Sequence, residues 1–259
     1  MGSQLILRLL LLDSNDLGRK NHLLGGFFIL EIRSLKTIIY IDGYNLYYGA
    51  LHGSPYKWLD IVKLCELVCK EQNPSSNIIT VKFFTAPVKA KVSTHGQRSL
   101  KSQSDYHKAL KLLYPHIVEI HNGYFMQERG FLPRYQKPLD KLDRLEVWRL
   151  EEKKTDVNIA LHMYRDVIKT QADQVVLASN DSDLVPALEF IKNENVNIIV
   201  GSIMPRRKRE GGKNRAVNKE ISDLSNWSRK YLLDSELEKS QLPDVVPSRK
   251  KPAFKPDYW

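Results

Sequence analysis

Cysteine is scarce in this sequence: Cys65 and Cys69 are the only two among 259 residues. That excludes a disulfide-stapled scaffold. With no neighbouring His/Cys set at zinc spacing, the pair reads as reduced, partly buried thiols. Long apolar runs are missing too. No segment approaches the roughly 20 consecutive apolar residues of a membrane-spanning helix. Residues 1–35 hold two short apolar stretches, 5–12 and 23–32, parted by Asp13, Asp16, Arg19 and Lys20. A secretory signal has a single apolar core followed by a small-residue cleavage site. The segment is therefore read as an N-terminal extension outside the fold, and the chain as cytoplasmic. Internal repeats are absent. What remains is an ordinary globular composition, 42% hydrophobic with a mean hydropathy of −0.39, enough for one α/β domain with appendages.

Acidic excess is also lacking: 40 Lys and Arg face 30 Asp and Glu, a net charge of +10. The surplus is local. Lys82, Lys89, Lys91, Arg98 and Lys101 lie in a stretch without an acid, and residues 205–215 carry Arg206, Arg207, Lys208, Arg209, Lys213 and Arg215 against Glu210. Two concentrated basic patches suit a polyanion such as nucleic acid, whose phosphates release counterions when neutralised. Arg98, Lys101, Arg206, Arg207, Lys208 and Arg209 are the expected phosphate contacts.

Hydrophobic spacing orders the chain. Residues 37–41 (TIIYI), 78–84, 117–121, 174–178 and 196–201 read as strands, the first buried on both faces. Residues 58–70, 98–114, 155–170 and 183–193 carry helical apolar stripes, and one or two further helices are expected over 217–233. Residues 122–150 contain Gly123, Gly130, Pro133 and Pro138 and are expected to form a hairpin or long excursion. Residues 234–259, with four prolines and mixed charge, read as a flexible C-terminal tail. Strand–helix alternation predicts a three-layer α/β/α sandwich with a mainly parallel central sheet. In such sheets the site lies beyond the carboxyl ends of the strands.

That rule selects acids. Asp42 follows the first strand in IDGYN, Asp181 and Asp183 follow the fourth in LASNDSD, and Asp156 opens the long helix in EEKKTDVNIA. Each alone fits a cap or turn. Together they repel one another unless a hard divalent cation, Mg²⁺ or Mn²⁺, takes their oxygens. Asn45, Ser179 and Ser182 are placed to steady a ligand carboxylate or a metal-bound water. Gly43 permits a close approach at the first turn. Tyr44 could stack on an unpaired base, while Lys153 and Lys154 are near enough in sequence to reach a scissile phosphate.

IDGYNL after the first strand, KKTDVNIALHMYRD on a helix and VVLASNDSDLVPALEFI, in that order, resemble the NYN domain family over residues 36–201. Those proteins are PIN-like nucleases, related in fold to the nuclease domains of flap endonucleases. The resemblance implies a PIN-like domain over 36–233 with an insertion near 122–150. It further implies an Mg²⁺- or Mn²⁺-dependent endoribonuclease acting on single-stranded RNA, with catalytic and metal positions at Asp42, Asp156, Asp181 and Asp183 and a catalytic role at Asn45. Many relatives read SGDSD; here Asn180 stands in place of Gly, and a left-handed asparagine would preserve the turn.

Two other readings compete. A haloacid-dehalogenase-type phosphatase needs an acid two residues after its nucleophilic Asp, and here that residue is Tyr44. A catalytically weak RNA-binding module of the same fold would not need all four acids. A homodimer through the sheet edge is compatible with either.

Overall fold

The computed structural model describes residues 34–169, 171–208 and 216–259; the expected extension over 1–35 lies almost wholly outside them. Strand β1 (Leu35–Asp42) runs into a short helix α1 (Gly43–Leu46) continued by a π-helical turn, Tyr47–Leu51. Then come α2 (Ile61–Gln72), β2 (Ser76–Thr85), α3 (Gln97–Leu113) and β3 (Val118–Asn122). The hairpin strands β4 (Tyr124–Pro133) and β5 (Arg144–Lys153) precede α4 (Thr155–Ile168) and β6 (Gln174–Ala178). A 3₁₀ turn (Ser182–Leu184) leads into α5 (Val185–Glu194), then β7 (Ile199–Ile203), α6 (Lys219–Leu224) and β8 (Trp227–Arg229). Helix α7 (Asp234–Lys239) and two short strands, β9 (Val245–Val246) and β10 (Ala253–Phe254), follow.

Six strands form one parallel sheet in the order β3-β2-β1-β6-β7-β8. The order reverses between β1 and β6, so loops leaving these two strands diverge to opposite faces and open a crevice between them. The expected parallel α/β/α sandwich is thus present, with one strand more than expected. Strand β8 is only three residues long and falls where a helix was expected.

Alternation along β1 explains the layers. Ile39 and Ile41 face a core shared with α2 and α3; Ile38 and Tyr40 face a second core shared with α4, α5 and α6. Both sets are almost completely buried. A buried polar knot crosses the second layer. Lys82 of β2 reaches the Asp166 carboxylate at 2.5 Å and the Tyr40 hydroxyl donates to the same oxygen at 2.8 Å. Burial alone would raise the Asp166 pKa, but these two donors hold it below the ordinary carboxylate value. The knot ties α4 to β1 and β2. It also removes Lys82 from the basic surface expected of its stretch: between Val81 and Phe83 it points inward and is 4% exposed.

Residues 122–150 form the β4–β5 antiparallel hairpin, which stands apart from the main sheet. The expected flexible tail is a correction. Leu237, Leu242, Val246 and Ala253 pack into the core beside α2 and α3, and the Trp58 indole donates to the Pro243 carbonyl at 2.8 Å. Four prolines punctuate the segment, but these four apolar side chains are inside. Leu237→Ala should therefore cost about 2–5 kcal/mol in urea unfolding, the range for a buried leucine; a flexible tail would show no change.

Candidate metal centre

Three carboxylates converge at the crevice. One oxygen from each of Asp42, Asp156 and Asp181 lies within 4.8 Å of the other two. Each owes its place to a different element. Asp42 ends β1 and caps α1, its Oδ1 accepting from the Asn45 backbone N–H at 2.9 Å. Its Oδ2 accepts from the Ser179 hydroxyl at 3.0 Å, and Ser179 Oγ accepts from the Asp181 N–H at 3.1 Å. That relay ties the end of β1 to the end of β6. Asp181, rather than Ser182, caps the 3₁₀ turn, taking the Asp183 N–H at 3.1 Å. Asp156 sits in the first turn of α4, where the helix dipole favours a negative group.

Asp183 stands outside this trio. Its side chain is exposed, as is that of Ser182, yet it is close enough to Asp156 to oppose its ionisation. Asn45 is nearly buried; besides its backbone bond to Asp42, its side-chain oxygen accepts from the Asn180 N–H at 3.2 Å. Asn180 itself is not left-handed: Lys154 is the one non-glycine residue with positive φ among those described. The Asn180 side chain instead donates to the Ala216 carbonyl at 2.9 Å and accepts from the Asn218 N–H at 2.7 Å. Ala216 and Asn218 are therefore anchored one residue from Asp181. Gly43 is needed for space: a Cβ there would lie 2.7 Å from the Phe84 carbonyl.

A fourth acid joins the cluster, one that sequence reasoning missed. Glu152 lies near the end of β5, opposite Phe125, and accepts from the Thr155 hydroxyl. Burial, then repulsion from Asp42 and Asp156, pushes its pKa up to about 7. Its one sequence signal is a place four residues before Asp156. Lys154, left-handed at φ 76°, makes the reversal between β5 and α4 that brings the two acids together.

The cations behave differently. Lys153 pairs with Glu151, and the Lys154 ammonium lies 5.1 Å from the Tyr124 ring centre. Arg98 pairs with Asp257 and covers the Tyr258 ring, while Lys101 pairs with Asp105 one turn along α3. Arg207 makes a two-pronged pair with Asp234 at 2.7 and 2.8 Å. Arg206 is half-buried and Lys208 is exposed near Tyr231. Arg209 lies outside the described residues. Tyr44 donates to the Ala86 carbonyl at 3.0 Å with its ring edge-on to Phe125; Tyr48, 63% exposed, is the open ring of this turn.

The donor set is carboxylate oxygen without His or Cys, which suits a hard divalent cation. Oxygens on opposite sides of Mg²⁺ are about 4.2 Å apart, and the ion usually keeps several waters. The spacing here suits direct ligation by some of the trio and water-mediated ligation by the rest.

A model of the NYN domain matches residues 36–223. The chain belongs to the NYN domain family. It is also 36% identical, over 253 residues, to 6-hydroxy-3-succinoylpyridine 3-monooxygenase HspA of Pseudomonas putida, an alignment covering 89% of this chain and 77% of that protein. A crystal structure of a Vibrio parahaemolyticus protein of unknown function, 16% identical, aligns with a TM-score of 0.45 over 76% of this chain and 93% of that one. In this NYN domain, no helix of the described residues is long and apolar enough to cross a membrane.

The Asp42 carboxyl is pushed up to about 6, chiefly by burial, with Asp156 and Asp181 adding repulsion against the bonds from Asn45 and Ser179. The folded protein thus holds this proton more tightly than the unfolded chain does. Without metal, stability should fall as pH rises from about 4 through about 6, with the full cost present above that, roughly 2–3 kcal/mol. Asp42→Asn retains a capping side chain and removes the charge. In EDTA, its stability relative to the parent should climb by that amount between pH 4 and 7.5, as followed by denaturant unfolding. Saturating Mn²⁺ at pH 7.5 should stabilise the parent and leave the variant unmoved.

Proposed function

We propose that this NYN domain hydrolyses phosphodiester bonds of single-stranded RNA with the help of Mg²⁺ or Mn²⁺. The observation that carries the reading is the convergence of Asp42, Asp156 and Asp181 at the crevice between β1 and β6. Asp42, Asp156 and Asp181 would hold the ion, with Asp183 beside them. A bound divalent ion activates water at neutral pH and stabilises charge on phosphoryl oxygens.

The rest falls to the chain. Asn45 and Ser179 keep Asp42 aimed by hydrogen bonds to both of its oxygens. Glu152, titrating near 7, can hold or release a proton at its carboxylate at working pH, as a general acid or base must. Lys208, exposed beside Tyr231, offers a phosphate contact. Both cysteines are free and buried, in keeping with a reducing cytoplasm.

A second reading rests on the likeness to the Pseudomonas putida monooxygenase: oxygenation of a small hydroxypyridine acid. One panel separates the two. RNA and DNA oligonucleotides and 6-hydroxy-3-succinoylpyridine, the last with NADH and oxygen, are incubated with the protein with and without EDTA. The ribonuclease reading expects EDTA-sensitive cleavage of RNA. It also expects Asp181→Asn to lose at least about 100-fold in rate while still binding RNA, and Glu152→Gln to lose about 10²–10⁴-fold. Intact RNA alongside pyridine turnover would replace it with the second reading.

A further inference from the structure

A cavity of about 480 Å³ opens where the turn after β1 faces α3, and Gly43 and Tyr44, the two residues following Asp42, line it. That volume lies within the roughly 300–1,000 Å³ of small-molecule sites. Rings dominate its walls. One cluster in the lining is Tyr47, Tyr48 and His52, with ring centres 5.1–5.8 Å apart. A second is Phe83, Tyr106 and His107, at 6.0–6.3 Å from one another. Among the described residues, Lys57 is the one Lys or Arg side chain lining the space, and no Asp or Glu side chain joins it. Burial lowers the His107 pKa to about 4, so this imidazole is neutral at pH 7 and offers a hydrogen bond without charge.

These features select a ligand. A lining this rich in aromatic rings favours a flat π-system over an aliphatic body. The neutral imidazole, together with Ser93, Thr94 and Ser99 at the rim, offers hydrogen bonds to ring heteroatoms. A lone cation and no acid favour a neutral or anionic molecule over a cationic one.

We propose that this cavity is a binding site for a planar heteroaromatic ring bearing a negative charge, stacked against the Tyr47–Tyr48–His52 wall with the charge toward Lys57. Two sources share that chemistry. One is the base of a nucleotide whose phosphate reaches the Asp42 cluster, which rests on the ribonuclease reading. The other is a free heterocyclic acid, which does not.

The test uses the full chain in EDTA and isothermal titration. The probes are uridine 5′-monophosphate, adenosine 5′-monophosphate and pyridine-3-carboxylate. Cyclohexanecarboxylate and inorganic phosphate serve as non-aromatic controls. At least one aromatic probe should bind about tenfold or more tightly than both controls. Tyr48→Ala should weaken it at least about fivefold, the low end of single-ring stacking losses. Lys57→Gln should weaken pyridine-3-carboxylate but not the uncharged pyridine-3-carboxamide. Ser99→Trp, which fills the cavity from α3, should abolish aromatic binding while Mn²⁺ binding at the Asp cluster, titrated separately without EDTA, persists, showing that the fold is intact.

Preference for the mononucleotides identifies the base as the source; preference for the pyridine acid identifies the free heterocycle. The proposal is overturned if no aromatic probe outbinds cyclohexanecarboxylate, or if binding survives Ser99→Trp with its Mn²⁺ site retained. RNA left uncut while probe binding holds would defeat the ribonuclease reading alone.

Discussion

Burial of the Asp42 carboxylate beside two half-buried acids is the constraint on which this structure turns. Asp42, Asp156 and Asp181 share one crevice, and Glu152 leans into it from the hairpin. Asp42 is 5% exposed, too buried for water to screen its charge well. The chain offers partial relief through the Asn45 N–H and the Ser179 hydroxyl, yet burial still outweighs both donors. A divalent cation removes the conflict outright, which makes the cluster a binding device more than a stabilising one.

The remainder of the fold holds that cluster in place. Reversal of strand order between β1 and β6 opens the crevice. The Asp181–Ser179–Asp42 relay fixes the two strand ends relative to one another. Behind the sheet, Lys82, Tyr40 and Asp166 lock α4 onto β1 and β2, so the helix carrying Asp156 cannot shift along the sheet without breaking a buried ion pair. Removing one partner of such a pair leaves an uncompensated charge, at a cost of about 3–5 kcal/mol. Gly49 adds a further close approach. A Cβ there would lie 1.8 Å from the Pro205 carbonyl, so the turn after β1 and the loop after β7 meet without room for a side chain.

Much of this was legible in the sequence, for definable reasons. β6 could be bounded to the residue because a continuous apolar run, QVVLA, ends abruptly at polar turn residues. Asp42 and Asp181 followed from the strand-end rule. Glu152 did not, because it is delivered by hairpin register, which pairs it with Phe125 across 27 residues of chain. Lys82 looked like part of a basic patch in a charge count, though its position between Val81 and Phe83 in a strand already pointed inward. β8 is too short for any periodicity. In the C-terminal segment, prolines hid four core residues whose spacing is neither helical nor alternating. Asn180 was expected to survive by adopting a glycine-like backbone; it serves instead through its amide, which pins Ala216 and Asn218.

The chain belongs to the NYN domain family and carries an acidic cluster suited to a divalent cation, and it is similar to a protein named as a pyridine monooxygenase. The ribonuclease reading requires the Asp crevice to hold a metal. The most direct measurement is an anomalous difference map from crystals soaked in Mn²⁺. The account predicts a peak bounded by Asp42, Asp156 and Asp181, within direct or one-water reach of all three. A map with no peak there, from crystals that bind Mn²⁺ elsewhere or not at all, would contradict it.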